Sequence, residues 1–406
     1  MNDELAGIIE TAKSFAERDQ RPRWESLDTP SEEVLGGLMR VLARIGFYSM
    51  QISEDAGGSG QGAAACAVFI EEVSRVCPAL GTVMASHAMG MAAALSCADA
   101  DARKKLLSDI VSREGRGEAP VAALCWMEDA ARAGGGLGLD EMETTLAEDG
   151  GGFLLNGRKL YVPGAAAAAF LVVIAKTQQG GFAYVVVPRD AAGVGLSGAV
   201  DMMGLRLCPF NHVALNGVKV TAESVLAMNI ERRELLKVFA RFDACIGAVG
   251  VGMAREAYGK ASLYAVGRYQ GGKMISGHDA IRGMLAETAL GIESARALML
   301  GAAANADSGR AAPADMLCST VCAETAVRAA LDGIQILGGY GYMRDYGMER
   351  ILRDAKTFQT AVVLPQCRKT EFINNELVGI GGYDYLRDHD TERIPHDAKT
   401  FQISGE

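Results

Sequence analysis

Gln335, in an Ala-rich helical stretch, is followed by Gly338-Gly339, and together they give a close backbone approach and an amide donor. Taken alone, the two glycines are only a tight turn. Further back, Arg268-Tyr269-Gln270-Gly271-Gly272-Lys273 carries a guanidinium fork that can pair with oxyanions. A single arginine is otherwise a solvated surface charge. His278, in His278-Asp279-Ala280-Ile281, reads equally well as a satisfied helix histidine or as a ligand contact. Nine cysteines include no CxxC pair and no tight Cys/His cluster for zinc. They read as buried thiols in a reducing compartment.

These residues sit in a chain of 406, 49% hydrophobic and 22% charged, with room for two or three packed units. A net charge of -10 gives no electrostatic reason to approach a nucleic-acid backbone or an anionic membrane. The first 19 residues are charged and amphipathic, unlike a signal peptide, and no uncharged run reaches the roughly 18 apolar residues of a membrane span. The expectation is a soluble cytoplasmic protein with no nucleic-acid partner and no membrane insertion.

The periodicity divides the chain into parts. Residues 1–120 read as helices, with Leu35, Leu38, Met39, Leu42 and Ile45 at helical spacing. Residues 121–231 change to short β-rich runs around Phe153, Phe170–Ile174 and Phe182–Val187, with Asn156-Gly157 as a hairpin turn signal. Residues 232–377 return to long helical stretches such as Met284–Met299 and Thr320–Leu337, which argue for a four-helix bundle. Residues 378–406 are a duplicated tail: Gly338–Gln359 recurs as Gly381–Gln402 with 15 of 22 positions identical. Pro395, Asp384 and Asp390 stand where the first copy has Leu352, Gly341 and Gly347, so the second copy reads as an appendage.

Gln335 through Tyr342, then Met348-Glu349-Arg350 and Arg353-Asp354-Ala355-Lys356, resemble the C-terminal signature of the acyl-CoA dehydrogenase family. Leu42–Gly60 resembles the family's helix, turn and double-glycine entry, Glu71-Glu72-Val73-Ser74-Arg75 its next helix, and Arg268–Lys273 with His278–Ile281 the segment that reaches a neighbouring subunit's FAD. The resemblance runs to about residue 377. It implies a mostly α fold with a small β-domain: an N-terminal helical domain, a middle β-barrel-like domain and a C-terminal four-helix bundle. It also implies FAD, an acyl-CoA substrate, an electron-transfer flavoprotein as acceptor, and a homotetramer or a heteromer with a homologous subunit. The positions carried over for FAD are Trp126, Met127, Tyr161, Val162, Arg268, Gln270, His278, Ile281, Gln335, Gly338, Gly339 and Gln366.

Desaturating a thioester needs a base for the α-proton while hydride leaves to the flavin. The family's glutamate position, eight residues after Asp354, holds Val362, and the alternative position, just before Arg241, holds Ala240. Asp243, three residues on, shares nearly the same helix face as Ala240 and is the nearest acidic substitute, with Arg241 in a positioning role. A surface or salt-bridged Asp is the plainer reading. Glu406 ends the repeated segment one position beyond the usual spacing. In the β-domain, Trp126-Met127-Glu128-Asp129 and Gly134-Gly135-Gly136 replace hydroxyl-bearing loops. Tyr161-Val162-Pro163 replaces Trp-Ile-Thr, so Tyr161 can stack on the flavin while Pro163 has no hydrogen to donate.

Three functions follow from the resemblance. The first is FAD-dependent α,β-dehydrogenation of an acyl-CoA, and the second is altered thioester chemistry, as in a lyase, desulfinase or reductase. The third is a non-catalytic subunit contributing Arg268 and Gln335 to FAD held mainly by a partner.

Overall fold

A computed structural model describes residues 3–96, 100–132 and 136–377; the repeated tail with Glu406, and Cys97, Gly134 and Gly135, lie outside the described residues. The N-terminal part holds α1 (Asp3–Phe15), α2 (Glu32–Ile45), α3 (Ala63–Val76), α4 (Pro78–Leu95) and α5 (Ala100–Gly115). The ends of α2 are set locally. Ser31 accepts a hydrogen bond from the Val34 N–H at 3.2 Å, and Gly46 closes the helix at φ +85°. Between these caps, Leu35, Leu38, Met39 and Leu42 are buried on one face, each side chain stabilising the core by about 1.5–3 kcal/mol. Helix α4 starts on Pro78, at a position whose N–H no helix uses, and is buried on nearly every side.

The middle part comprises β1 (Ala122–Cys125), a single turn α6 (Asp129–Arg132), β2 (Thr145–Asp149), β3 (Gly152–Pro163), β4 (Phe170–Thr177), β5 (Phe182–Pro188), β6 (Val194–Leu196), β7 (Phe210–Val220) and β8 (Val225–Ile230). They form one eight-stranded mixed sheet in the order β6-β7-β3-β2-β4-β5-β8, with β1 added alongside β4. The pairs β1–β4 and β2–β4 are parallel and the others antiparallel. Asn156-Gly157 is not a turn: it lies inside β3, and the β2–β3 connection is made by Gly150 and Gly151, both at positive φ. Gly157 answers a different need. A Cβ there would stand 2.4 Å from Thr144 Oγ1, and Asn156 Oδ1 accepts the Gly217 N–H at 2.8 Å. The Asn-Gly pair thus marks a close crossing between chain segments.

Next comes α7 (Arg232–Gly267), then the short strands β9 (Tyr269–Gln270) and β10 (Lys273–Met274). After these follow α8 (Asp279–Asp307), α9 (Cys318–Leu337), the turn α10 (Gly339–Tyr342), α11 (Met348–Phe358) and α12 (Pro365–Leu377). Helices α7, α8, α9 and α11 pack as the C-terminal bundle, and α7 also packs on α3 and α4. That inter-part seam is charged as well as apolar. Buried Glu71 meets Arg296 at 2.8 Å, and Glu72 meets Arg255 at 2.7 Å.

Candidate functional site

Two helix ends and a hairpin build one cavity of about 670 Å³, and Arg268, Gln270, His278, Ile281, Gln335, Gly338 and Gly339 all line it. Helix α7 stops at Gly267, and the Arg268 N–H still reaches Tyr264 O at 2.9 Å. Gly271 and Gly272, both at positive φ, then reverse the chain so that β9 pairs with β10 in a two-residue hairpin. The hairpin is pinned to the start of α8, because His278 Nε2 donates to Gln270 O at 2.9 Å. On the opposite side α9 ends at Leu337, and Gly338 takes φ +59° and ψ -134°, a conformation that glycine alone adopts freely. A Cβ on Gly338 or Gly339 would meet nothing within 4 Å, so the space before this turn is open. Arg268 lies with its guanidinium carbon 5.8 Å from the Tyr340 ring centroid and forms no ion pair among the described residues.

A second group of expected residues lies on the β-domain. Trp126 follows β1 and packs edge-on against Phe239 of α7, with ring centroids 5.5 Å apart. Met127 O accepts the Leu160 N–H at 2.8 Å. Beneath them Lys159 and Glu128 form a buried pair at 2.6 Å. Burial alone would raise the Glu128 carboxyl, but the Lys159 charge and the hydrogen bonds to it hold it below its ordinary value. Val162 is buried on the same strand. Tyr161 stands at φ +49°, a conformation that costs a non-glycine residue of order 1–3 kcal/mol unless its surroundings impose it. Its N–H points to His212 Nδ1 at 3.2 Å, and the two rings meet edge to face at 4.8 Å. His212 carried no signal in the sequence, because only the pairing of β3 with β7 sets it opposite Tyr161.

Arg241 lines a different cavity, of about 600 Å³, where α7 meets β5, β8 and the end of α4. Its Nη1 donates to Ser96 Oγ at 2.5 Å. Lys237, held by Glu234 at 2.6 Å, adds a second cation to a wall otherwise made by residues such as Val225, Leu226 and Met228. The Tyr184 hydroxyl, which burial pushes well up from its ordinary pKa, has no hydrogen-bond partner among the described residues. Gln366 is in neither cavity: it is exposed on α12, its Nε2 3.5 Å from Thr370 Oγ1.

Neither position that corresponds to a family base holds a proton acceptor. Val362 is 7% exposed in the wide turn Gln359–Val363 that follows α11, and Ala240 is fully buried on α7. Asp243 does not replace them. Its Oδ2 accepts the Ser319 N–H at 2.7 Å, its Oδ1 accepts Ser319 Oγ at 2.9 Å and Arg368 Nη1, and both charged side chains are 0% exposed. Burial pushes the Asp243 carboxyl up to about 6, against the opposing pull of Arg368 and Ser319. The shared helix face with Ala240 is real, but two other elements, α9 through Ser319 and α12 through Arg368, have claimed the carboxylate.

The sequence matches the acyl-CoA dehydrogenase N-terminal domain over residues 2–114, the middle domain over 130–218 and the C-terminal domain over 235–361. The chain belongs to the acyl-CoA dehydrogenase family. It is 30% identical over 361 residues to benzylmalonyl-CoA dehydrogenase from Aromatoleum aromaticum, covering 88% of this chain and 93% of that one. It is 28% identical over 364 residues to a caffeyl-CoA reductase–Etf complex subunit from Acetobacterium woodii, covering 86% and 92%. Among solved structures, a glutaryl-coenzyme A dehydrogenase in complex with glutaryl-CoA superposes with a TM-score of 0.82 at 26% identity, covering 94% of this chain and 96% of that one. For an acyl-CoA dehydrogenase family member, the Arg268 cavity fits the diphosphate of FAD. It offers a guanidinium without an acid partner among the described residues, an amide from Gln335 and an open glycine turn.

Proposed function

We propose that this chain is an FAD-dependent oxidoreductase that removes hydrogen from Cα and Cβ of an acyl-CoA thioester and passes the electrons to an electron-transfer flavoprotein. The convergence of seven residues from α8, α9, α10 and the β9–β10 hairpin region on one cavity around a guanidinium with no ion pair among the described residues carries this reading. Bound FAD supplies the hydride-accepting chemistry. Arg268 and Gln335 would hold its diphosphate, with the Gly338-Gly339 backbone drawn close, and Tyr161 and Trp126 would border its ring. The cavity beside Arg241 joins that cation, and Lys237 paired with Glu234, to a largely aliphatic wall, which suits the pantetheine and a phosphate of CoA. The name of the Acetobacterium relative supports an electron-transfer flavoprotein as partner.

Leu263, Val266, Tyr269 and Met274, close to Arg268 in the chain, are large exposed apolar side chains, suited to cover by a homologous subunit. No helix among the described residues is long and apolar enough to cross a membrane. The eight described cysteines are free and buried, in keeping with a reducing, cytoplasmic setting.

Val362, Ala240 and the engaged Asp243 favour a second reading, a non-catalytic subunit beside an active homologue. One experiment separates the two: the visible spectrum of the chain purified alone, followed by anaerobic addition of a panel of acyl-CoA thioesters. Flavin absorbance that bleaches with a thioester supports the oxidoreductase. A yellow protein that no thioester bleaches supports altered thioester chemistry, and a colourless one that does not take up added FAD sinks the independent-enzyme reading and supports the silent subunit.

A further inference from the structure

The pairing of β3 with β7 breaks register at one place. Lys159 lies opposite Val213 and Val162 opposite Asn211, so that Leu160 and Tyr161 together face the single residue His212. Two residues against one is a β-bulge, a device that re-aims a side chain and recurs beside functional sites. Tyr161 is the bulged residue at φ +49°. Such a backbone persists only when its surroundings over-determine it, and the contacts that do so are in place. Leu160 N–H is held by Met127 O at 2.8 Å, Tyr161 N–H points to His212 Nδ1 at 3.2 Å, and the His212 ring meets the Tyr161 ring edge to face. His212 is itself clamped from both sides, its N–H donating to Ser197 Oγ and its carbonyl accepting the Ser197 N–H, each at 2.9 Å. An imidazole Nδ1 that accepts a hydrogen bond leaves the ring hydrogen on Nε2 in the neutral form.

We infer that His212 is a positioning residue for the flavin site: its Nδ1 and ring fix the bulge that presents Tyr161 to the isoalloxazine. This rests on the reading of Tyr161 as a flavin contact. A helical or glycine platform would leave the ring of residue 161 free to turn. The bulge instead sets the ring direction through the backbone, and the acceptor that secures it is the side chain of residue 212. His212 thereby acts on the cofactor through Tyr161, without touching it.

The test uses the whole chain reconstituted with FAD and reads flavin fluorescence and visible circular dichroism, both sensitive to an aromatic ring stacked on the isoalloxazine. Tyr161→Leu is expected to raise the fluorescence of bound flavin several-fold. His212→Phe keeps a ring and removes the acceptor, and is expected to move both signals in the direction of Tyr161→Leu. His212→Asn restores a short-reach acceptor and is expected to return them toward wild type. Hydrogen–deuterium exchange of the segment 158–164, measured before FAD is added, gives a readout independent of the cofactor. It should speed up at least tenfold in His212→Phe and little in His212→Asn.

A His212→Phe protein with wild-type flavin signals and wild-type exchange overturns the inference. Equal disturbance by Phe and Asn also overturns it, since acceptor geometry would then not matter. Wild-type chain that binds FAD while Tyr161→Leu leaves the flavin signals unchanged removes Tyr161 from the site and the inference with it. Wild-type chain that takes up no FAD marks the separate failure of the cofactor reading.

Discussion

Asp243 on α7 and Arg368 on α12 close an ion pair from which water is excluded on both sides, 125 residues apart in the chain. Arg368 also donates through Nε to Val363 O at 2.7 Å, so the same guanidinium that neutralises Asp243 holds the turn where the family's glutamate would stand. A charge so placed cannot be removed singly without leaving its partner uncompensated in the interior.

Asp243→Asn should therefore cost about 3–5 kcal/mol of stability, seen as a lowered urea midpoint. Arg368→Met added to Asp243→Asn should recover part of the loss. If flavin bleaching by a thioester survives in Asp243→Asn at a temperature where the protein is folded, the carboxylate is structural, as its contacts indicate. Selective loss of bleaching with unchanged stability would return Asp243 to the catalytic role.

Asp354 gives a pH signature. Its carboxyl is pushed up to about 6 by burial, with Arg350 and the Leu205 N–H pulling the other way. The folded protein then binds a proton more readily than the unfolded chain, whose Asp titrates near 3.8. This contribution to stability is fully present below about pH 4 and is lost as pH rises through about 6. Relative to Asp354→Asn, the wild type should gain stability as the pH is lowered from 7 to 4.5. A constant difference in urea midpoints across that range would contradict the shift.

Arg268→Ala should weaken FAD binding by roughly 10- to 100-fold, the worth of a charge-assisted hydrogen bond to a diphosphate. Arg268→Lys should recover only part of it, since a single ammonium lacks the planar fork. Equilibrium dialysis with FAD measures both. Because Arg268 has no ion pair to lose among the described residues, thermal stability of the cofactor-free protein should change little.

Val362→Glu places a carboxyl where the family keeps one. If the chain holds FAD and thioester in register and lacks only the base, anaerobic bleaching should accelerate by roughly 10²- to 10⁴-fold. Ala240→Glu is the parallel trial from α7. No acceleration from either would argue that the thioester is not held against the flavin in this chain.

Much of this was legible in the residues. The helical spacing in α2, the strand runs in β4 and β5, and the cluster from Arg268 to Gly339 announce elements whose chemistry is local or whose motif is contiguous. Other features arise only from pairing. Gly157 signals a hairpin by type, yet Thr144 occupies the space where its Cβ would be. Asp243 reads as a neighbour of Ala240 along the helix, yet Arg368 arrives from the last described helix to take it. His212 gains meaning only through a one-residue slip in a strand ladder.

The cavity around Arg268 is made by residues within 264–281 and 335–343, which meet only when the ends of α7 and α9 and the start of α8 are docked together. FAD bound there would favour the docked state by mass action, by about 2.7 kcal/mol at a hundredfold excess over its dissociation constant. Flavin supply would thereby become a determinant of protein lifetime, since a flavin-starved cell would hold this chain without the contribution that keeps these helix ends docked.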